Sequence, residues 1–451
     1  MVNELRELLR ENVSSPPPDD VDLTGVLKGG RRRVRRRRGL AAVGGTAVAT
    51  AAVVALTSLV GQDTGTDGVA DGPPSPDAPT VSLAGATSAV EGRDYRLLSS
   101  YTNSNLDARN GQYFDGVTDD GFILFSDGPH GPDNGVRRAL MDPVTEEKDW
   151  LPAAPHSNEQ LWPVDLGADR LVFTSMRYGK FRGGELPEGE MIAVVYDRQA
   201  RTWHRMSWPG LPALDEPGSG VLGPEDRLYV RVPATNGEPP PGGWPKGPDG
   251  EADDADAEGD TFALWSVSLT DPADVRDEGL VVGDVAFTDQ SMVWTDRTNG
   301  HSGLIHVRDL ASGEERSFDP DSGDRCNLLS FGATDDRIVL GQYCGTYAGG
   351  VRDDRVQVLA TDGEQVVTVQ DSSIDGGLTA DQGSLVTIES HDRNTQGTYV
   401  YDLDDDRFLR VSDSVSQWAM GGPTPPGMFL WHTSVNGSKG ATQWLGEMIG
   451  N

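Results

Sequence analysis

Cysteine is nearly absent from this chain. Its two copies, Cys326 and Cys344, form no C-x-x-C and have no His–Cys spacing, so the sequence holds no zinc or thioredoxin-like motif. The seven histidines (His130, His156, His204, His301, His306, His391 and His432) also lack metal spacing. No G-x-S-x-G is present for a serine hydrolase, and no S-x-D-x-G-x-x-W of the sialidase type; SVNGSKGATQW from Ser434 is a distant echo of the latter. Positive charge is scarce, with 38 Lys and Arg against 71 Asp and Glu and a net charge of −33. Such a surface repels nucleic acid, so none is expected as a partner. Only one uncharged stretch, Gly39–Val60, is long enough to cross a membrane.

That stretch follows the run RRRVRRRR, Arg31–Arg38. As a helix its 22 residues would rise about 33 Å, against a bilayer core of roughly 30 Å. Seven arginines on one flank and none on the other predict a cytoplasmic N-terminus and an extracytoplasmic remainder. Small residues around Ala47–Ala49 and Ala55 also suit a cleaved export signal. The 38 residues that precede the stretch favour an uncleaved, single-pass anchor. Within them Leu5, Leu8 and Leu9 share one helical face, ended by Pro16–Pro18. The layout expected is a cytoplasmic segment (1–38), a transmembrane helix (39–60), a flexible linker (61–92) and an outer domain (93–451), with the lipid bilayer as one partner.

From Arg93 onward short apolar runs alternate with Gly/Asp/Asn-rich turns, without helical periodicity. One phrase recurs, an acidic turn leading into a strand: TDDGFILF, ADRLVFT, EDRLYVR, TDQSMVW, TDDRIVL and ADQGSLVTI. The turns fall near residues 119, 169, 226, 289, 335 and 381, and each unit holds four strands. A repeat of this length and content is the blade of a β-propeller. Six full units precede a seventh that supplies three strands, SQWAM, MFLWHTS and ATQWLGEMI. An unassigned strand, RDYRLLSSY from Arg93, precedes the first unit and is expected to complete the last blade and close the ring. Strict alternation would set Tyr95, Leu97 and Ser99 on one side of that blade and Arg96 and Leu98 on the other. The fold class expected is therefore all-β, a seven-bladed β-propeller ectodomain preceded by a short cytoplasmic helix and one transmembrane helix.

Cys326 and Cys344 lie symmetrically about residue 335, in the hairpin turn of the fifth unit. Residues so placed face each other across the two strands, so a disulfide is predicted. For Ca²⁺, Asp402, Asp404 and Asp406 form D-x-D-x-D, but Arg407 stands where a tight calcium loop needs Gly. A turn between third and fourth strands is the better reading. Asp319, Asp321 and Asp324 are a second Ca²⁺ candidate. The insertion Gly237–Asp260, with PPPGGWPKGP and seven acidic residues from Asp249 on, reads as a mobile loop with a cation- or partner-binding role as its functional alternative. Trp150, Trp203, Trp265, Trp294 and Trp431 fall at strand positions and read first as blade packing.

The turn phrase VRDLASGEERS at Val307–Ser317 resembles the strand connection of WD40-like, TolB-like and quinoprotein-like propellers. The resemblance covers about Arg93–Asn451 and implies a fold and no ligand. No unit ends in Trp-Asp, which departs from true WD40 proteins. ALMDPVTEEKDW keeps the Asp, Thr and Trp of the quinoprotein pattern but not its Gly, so no quinone cofactor is implied. The layout is similar to actinobacterial single-pass proteins with an outer propeller, some of them anti-sigma regulators, although no H-x-x-x-C-x-x-C is present. The expectation is a membrane-anchored, non-catalytic propeller that binds an extracellular protein or glycan. The alternatives are a glycan-active enzyme and a transmembrane signal transducer. No catalytic residue and no cofactor are assigned.

Overall fold

The computed structural model describes residues 79–450 except 107–110, 129–134, 155–160, 179–188, 215–219, 238, 324, 335, 373, 375–378, 381–382 and 417–420. The expected cytoplasmic segment, the Gly39–Val60 stretch and most of the expected linker lie outside the described residues. Among the described residues no helix is long and apolar enough to cross a membrane.

Seven antiparallel sheets follow one another along the chain. Blade one runs from its inner strand Gln112–Val117 through Ile123–Asp127 and Arg137–Met141 to Lys148–Trp150. Blade two has the same order over Trp162–Leu166, Arg170–Tyr178, Gly189–Asp197 and Thr202–Ser207. Blades three to six repeat it from the inner strands Gly220–Gly223, Val285–Phe287, Asn327–Thr334 and Thr379–Ala380. Alternation along each middle strand lets a sheet bury both its faces. On Arg170–Tyr178, Leu171 and Phe173 pack toward blade one, while Val172 and Met176 pack toward blade three. Seven hydrophobic clusters result, one at each junction between neighbouring blades, including that between blades seven and one. The ring is a closed seven-bladed β-propeller.

Closure uses the N-terminal strand, as expected. Tyr95–Asn103 is the outermost strand of blade seven and pairs antiparallel with Gly440–Met448, beside Met428–Val435. Arg96 and Glu447 form an ion pair across this seam. Gly440 is required there, since a Cβ would fall 2.1 Å from the Asn103 carbonyl oxygen. Of the expected inner strand SQWAM, residues 417–420 lie outside the described residues; Ser416 donates its N–H to the His432 carbonyl. The expected facing of the closing strand needs one correction. Tyr95 and Leu97 do pack toward blade six and Leu98 toward blade one. A β-bulge between Leu97 and Ser99 then resets the phase, so Ser99 pairs with Leu445 and shares its face, away from Tyr95 and Leu97.

A second correction concerns the end of the linker. Residues 79–92 belong to the ring. Thr80–Val81 pairs in parallel with Gln365–Asp371, the outer strand of blade five, and Thr87–Ser88 with Arg407–Arg410, that of blade six. Between them Leu83 is 2% exposed, within the cluster joining the two blades, and its N–H donates to Asp371 Oδ2 at 3.2 Å. This strap covers two sheet edges that would otherwise present free backbone groups.

Cys326 and Cys344 form a disulfide. The pairing depends on a feature the spacing did not show. Thr334 pairs with Arg337 at the hairpin, which would set Cys326 opposite Gly345; a bulge between Leu328 and Ser330 shifts the register so that Asn327 faces Tyr343 and the cysteines face each other.

Candidate functional site

In a four-stranded blade, turns between strands one and two and between three and four fall on one face of the ring. Connections between strands two and three fall on the other. These are called here the turn face and the loop face.

The recurring acidic turns lie on the turn face, where two of their carboxylates, Asp120 and Asp226, join blades. Arg198 of blade two grips Asp120 of blade one through both guanidinium ends, at 2.7 and 2.8 Å. Arg170 of blade two grips Asp226 of blade three in the same way, at 2.9 and 2.6 Å. Bidentate pairs of this kind fix orientation as well as adding attraction. Arg170 also approaches Asp165, on the inner strand of blade two, at 3.7 Å. Burial pushes the Asp165 carboxyl up; Arg170 opposes the rise, and Asp119 and Asp226 add to it.

The loop face carries the insertion, and here the sequence reading is corrected. Gly237–Asp260 is not a free loop; it is tied to blades four and five. Glu258 and Asp260 pair with Thr298–Gly300 of blade four. Asp260 accepts from the Gly237 N–H and from Asn299 Nδ2, both at 2.8 Å. Arg325 of blade five reaches Asp253 at 3.0 Å and Asp256 at 2.9 Å. Asp249 accepts from Thr346 Oγ1 at 3.1 Å and Arg352 Nη1 at 3.4 Å. Arg325 adjoins Cys326 and Thr346 follows Cys344 by two, so the disulfide hairpin is the anchor of this lip. The lip spans three blades and leaves Pro239, Pro240, Pro241 and Lys246 exposed at its tip beside a half-buried Trp244.

The remaining candidates do not converge. Asp402 pairs with Arg407 at 2.7 Å and Asp406 accepts from Tyr401 Oη at 2.5 Å, in the turn joining third and fourth strands of blade six. Asp319 accepts from the Asp321 N–H in a local turn, and Asp324 lies outside the described residues. Among the described residues no three His, Cys, Asp or Glu side chains are grouped to hold a metal ion. The tryptophans pack: Trp294 stacks on His306 at 5.0 Å and Trp431 on Trp444 at 5.8 Å. Trp150 is partly exposed under the Arg137 guanidinium at 4.0 Å. His130 and His156 lie outside the described residues. Of the other histidines, only His432 is fully enclosed, and burial lowers its pKa to about 4. Sequence spacing gave no sign of this.

No family model and no curated protein matches this chain. Similar solved structures include the β-propeller domain of the trilobed protease from Pyrococcus furiosus, at 12% identity over 68% of this chain and 82% of that one, TM-score 0.40. An uncharacterised protein from Listeria monocytogenes matches at 6% identity over 78% and 88%, TM-score 0.39. The acylaminoacyl peptidase of Pyrococcus horikoshii matches at 12% identity over 68% of this chain, TM-score 0.43; the chain spans 45% of that peptidase.

Proposed function

We propose that this protein is a membrane-anchored, extracytoplasmic receptor or scaffold that captures a protein or glycan ligand on the loop face of its propeller, without catalysis. The observation that supports this reading is the lip. Four of its carboxylates, two arginines of blade five and a disulfide hairpin hold an insertion in one shape across three blades. A connection that only joined two strands would need none of this. Holding a loop in advance lowers the ordering cost of binding. The disulfide suits an oxidising compartment, and the anchor reading rests on Arg31–Val60.

The test places a photo-crosslinking residue at Trp244, on the lip, and in a second sample at Val144, on the turn face, in intact cells. Discrete adducts from position 244 alone support capture on the loop face. Adducts from neither position, or equally from both, contradict it. Protease added outside the same cells should release the propeller by cutting within residues 61–78; a protected outer domain would remove the membrane reading.

A glycan-active enzyme is the second reading, and Asp165 is the residue it rests on, for the raised carboxyl beside Asp119 and Asp226. Asp165→Asn would then abolish glycan cleavage while leaving capture unchanged.

A further inference from the structure

The lip is held at its foot and open to solvent at its tip. Arg325 and Arg352 of blade five bind Asp253, Asp256 and Asp249. Away from these anchors Pro239, Pro240, Pro241, Pro245 and Lys246 are exposed, with Trp244 half-buried beside them.

The tip is rigid by its own chemistry. A proline ring fixes φ near −65°, and a residue that precedes proline is driven to extended backbone. Pro239 and Pro240 each precede another proline, so they take the polyproline II conformation. The run ends in a turn. The Gly243 N–H donates to the Pro240 carbonyl at 2.8 Å, and Gly242 supplies the positive φ, 100°, that a type II turn needs after Pro241. A second turn closes the far side, where the Gly250 N–H donates to the Gly247 carbonyl at 2.9 Å and the Asp253 N–H to that of Pro245 at 2.8 Å.

These features select the chemistry of a partner. Three consecutive prolines have no N–H, so the run accepts hydrogen bonds and donates none. Its exposed rings offer apolar surface, and its fixed backbone loses little freedom on docking. Aromatic side chains that carry a donor, Tyr and Trp, match both properties. A glycan brings hydroxyls that need donors as well as acceptors, and the run returns acceptors alone. Lys246 is the one basic residue of Gly237–Asp260. It is exposed and makes no ion pair among the described residues, so a carboxylate on the partner completes the match. We propose that the tip of the lip docks, as a polyproline II ligand, into an aromatic-lined, acid-rimmed groove of a partner protein. This rests on capture at the loop face and names the partner's class, protein and not glycan.

The experiment keeps the full chain in intact cells, with benzoylphenylalanine at position 244 as the photo-crosslinker, and maps each adduct by mass spectrometry. Adducts are expected on a polypeptide, at a site where Trp, Tyr or Phe residues cluster with Asp or Glu. In the same background Pro240→Ala should lower the adduct yield about tenfold, because it frees φ and removes ring contact. Lys246→Glu should lower it severalfold. Both side chains are exposed, so the melting temperature and the protease resistance of Gly237–Asp260 should match the parent's in each variant. Adducts on a glycan, adducts on a polypeptide site without aromatic residues, or an unchanged yield in either variant would overturn the assignment and leave capture at the loop face standing. Absence of any adduct would remove the loop-face reading, and this one with it.

Discussion

Blade five has four strands consecutive in the sequence, with the short strap Thr80–Val81 at their outer edge, and carries a covalent clasp, whereas blade seven needs Tyr95–Asn103 to pair with Gly440–Met448. The disulfide of blade five spans 18 residues; the contact between Thr102 and Thr442 in blade seven spans 340. Closing the longer loop costs roughly 3 kcal/mol more in chain entropy. Blade seven therefore needs many contacts made together, and it has them in the clusters on both its faces. Both blades mix bonded and unpaired buried polar groups: among the described residues Asn327 Oδ1, Gln342 Oε1 and Thr368 Oγ1 of blade five have no partner, and neither have Ser99 Oγ and Gln443 Nε2 of blade seven. In blade five Arg355 donates to Asp353 and to the Ser322 carbonyl, fully enclosed. In blade seven both ring nitrogens of His432 lack a partner among the described residues.

The largest effect expected from breaking this contrast follows loss of the closing strand. A chain beginning at Tyr113 should aggregate, or melt far below one beginning at Pro79, because it exposes the edge of Gly440–Met448. Equal melting temperatures in a scanning calorimeter would remove the closure role. Next is Leu83→Ala in the strap of blades five and six, which should cost about 3 kcal/mol in denaturant titration as a cavity opens at a fully enclosed site. Replacing both cysteines by serine should cost roughly 2–4 kcal/mol. It should also raise protease sensitivity within Gly237–Asp260, since the clasp anchors the lip.

The smallest effect in the unaltered protein concerns pH, and it is small because two groups oppose each other. Burial lowers His432 to about 4, so its contribution is lost as pH falls from about 6.5 to 4, by about 3 kcal/mol. Asp115, on the inner strand of blade one, is raised to about 6 by burial, against the opposing pull of Arg138 and Ser126. Its contribution is present below about pH 4 and lost as pH rises through 6, again by about 3 kcal/mol. Stability of the unaltered chain between pH 4 and 6.5 should change little on account of this pair. His432→Gln should make stability rise on acidification over that range, and Asp115→Asn should make it fall. Parallel pH profiles in the two variants would contradict the assignment.

The fold was legible in the sequence because its signals are local. Six of the seven blades announce themselves by an acidic turn and an alternating strand, and the spare strand at Arg93 fitted the incomplete seventh unit. What was not legible depends on partners far along the chain. The composition of Gly237–Asp260 suggests mobility; Arg325 and Arg352, which hold it, are about 70 to 100 residues away. Residues 79–92 look like tether because only Val81, Leu83 and Val90 carry apolar bulk, yet Leu83, with Val81 and Ala86 beside it, packs into the gap between two blades. Bulges escape period-two reasoning, which misplaced Ser99 and missed the shift that aligns Cys326 with Cys344.

The central claim is that the two ends of the propeller domain share one blade, and a designed crosslink tests it most directly. Thr102 and Thr442 face each other in register, with hydroxyl oxygens 2.8 Å apart. In a Thr102→Cys, Thr442→Cys variant under mild oxidation, peptide mapping should find these positions linked in folded protein and free after denaturation in reductant. Two free thiols in the folded, oxidised protein would contradict closure by the N-terminal strand, and the seven-bladed ring with it.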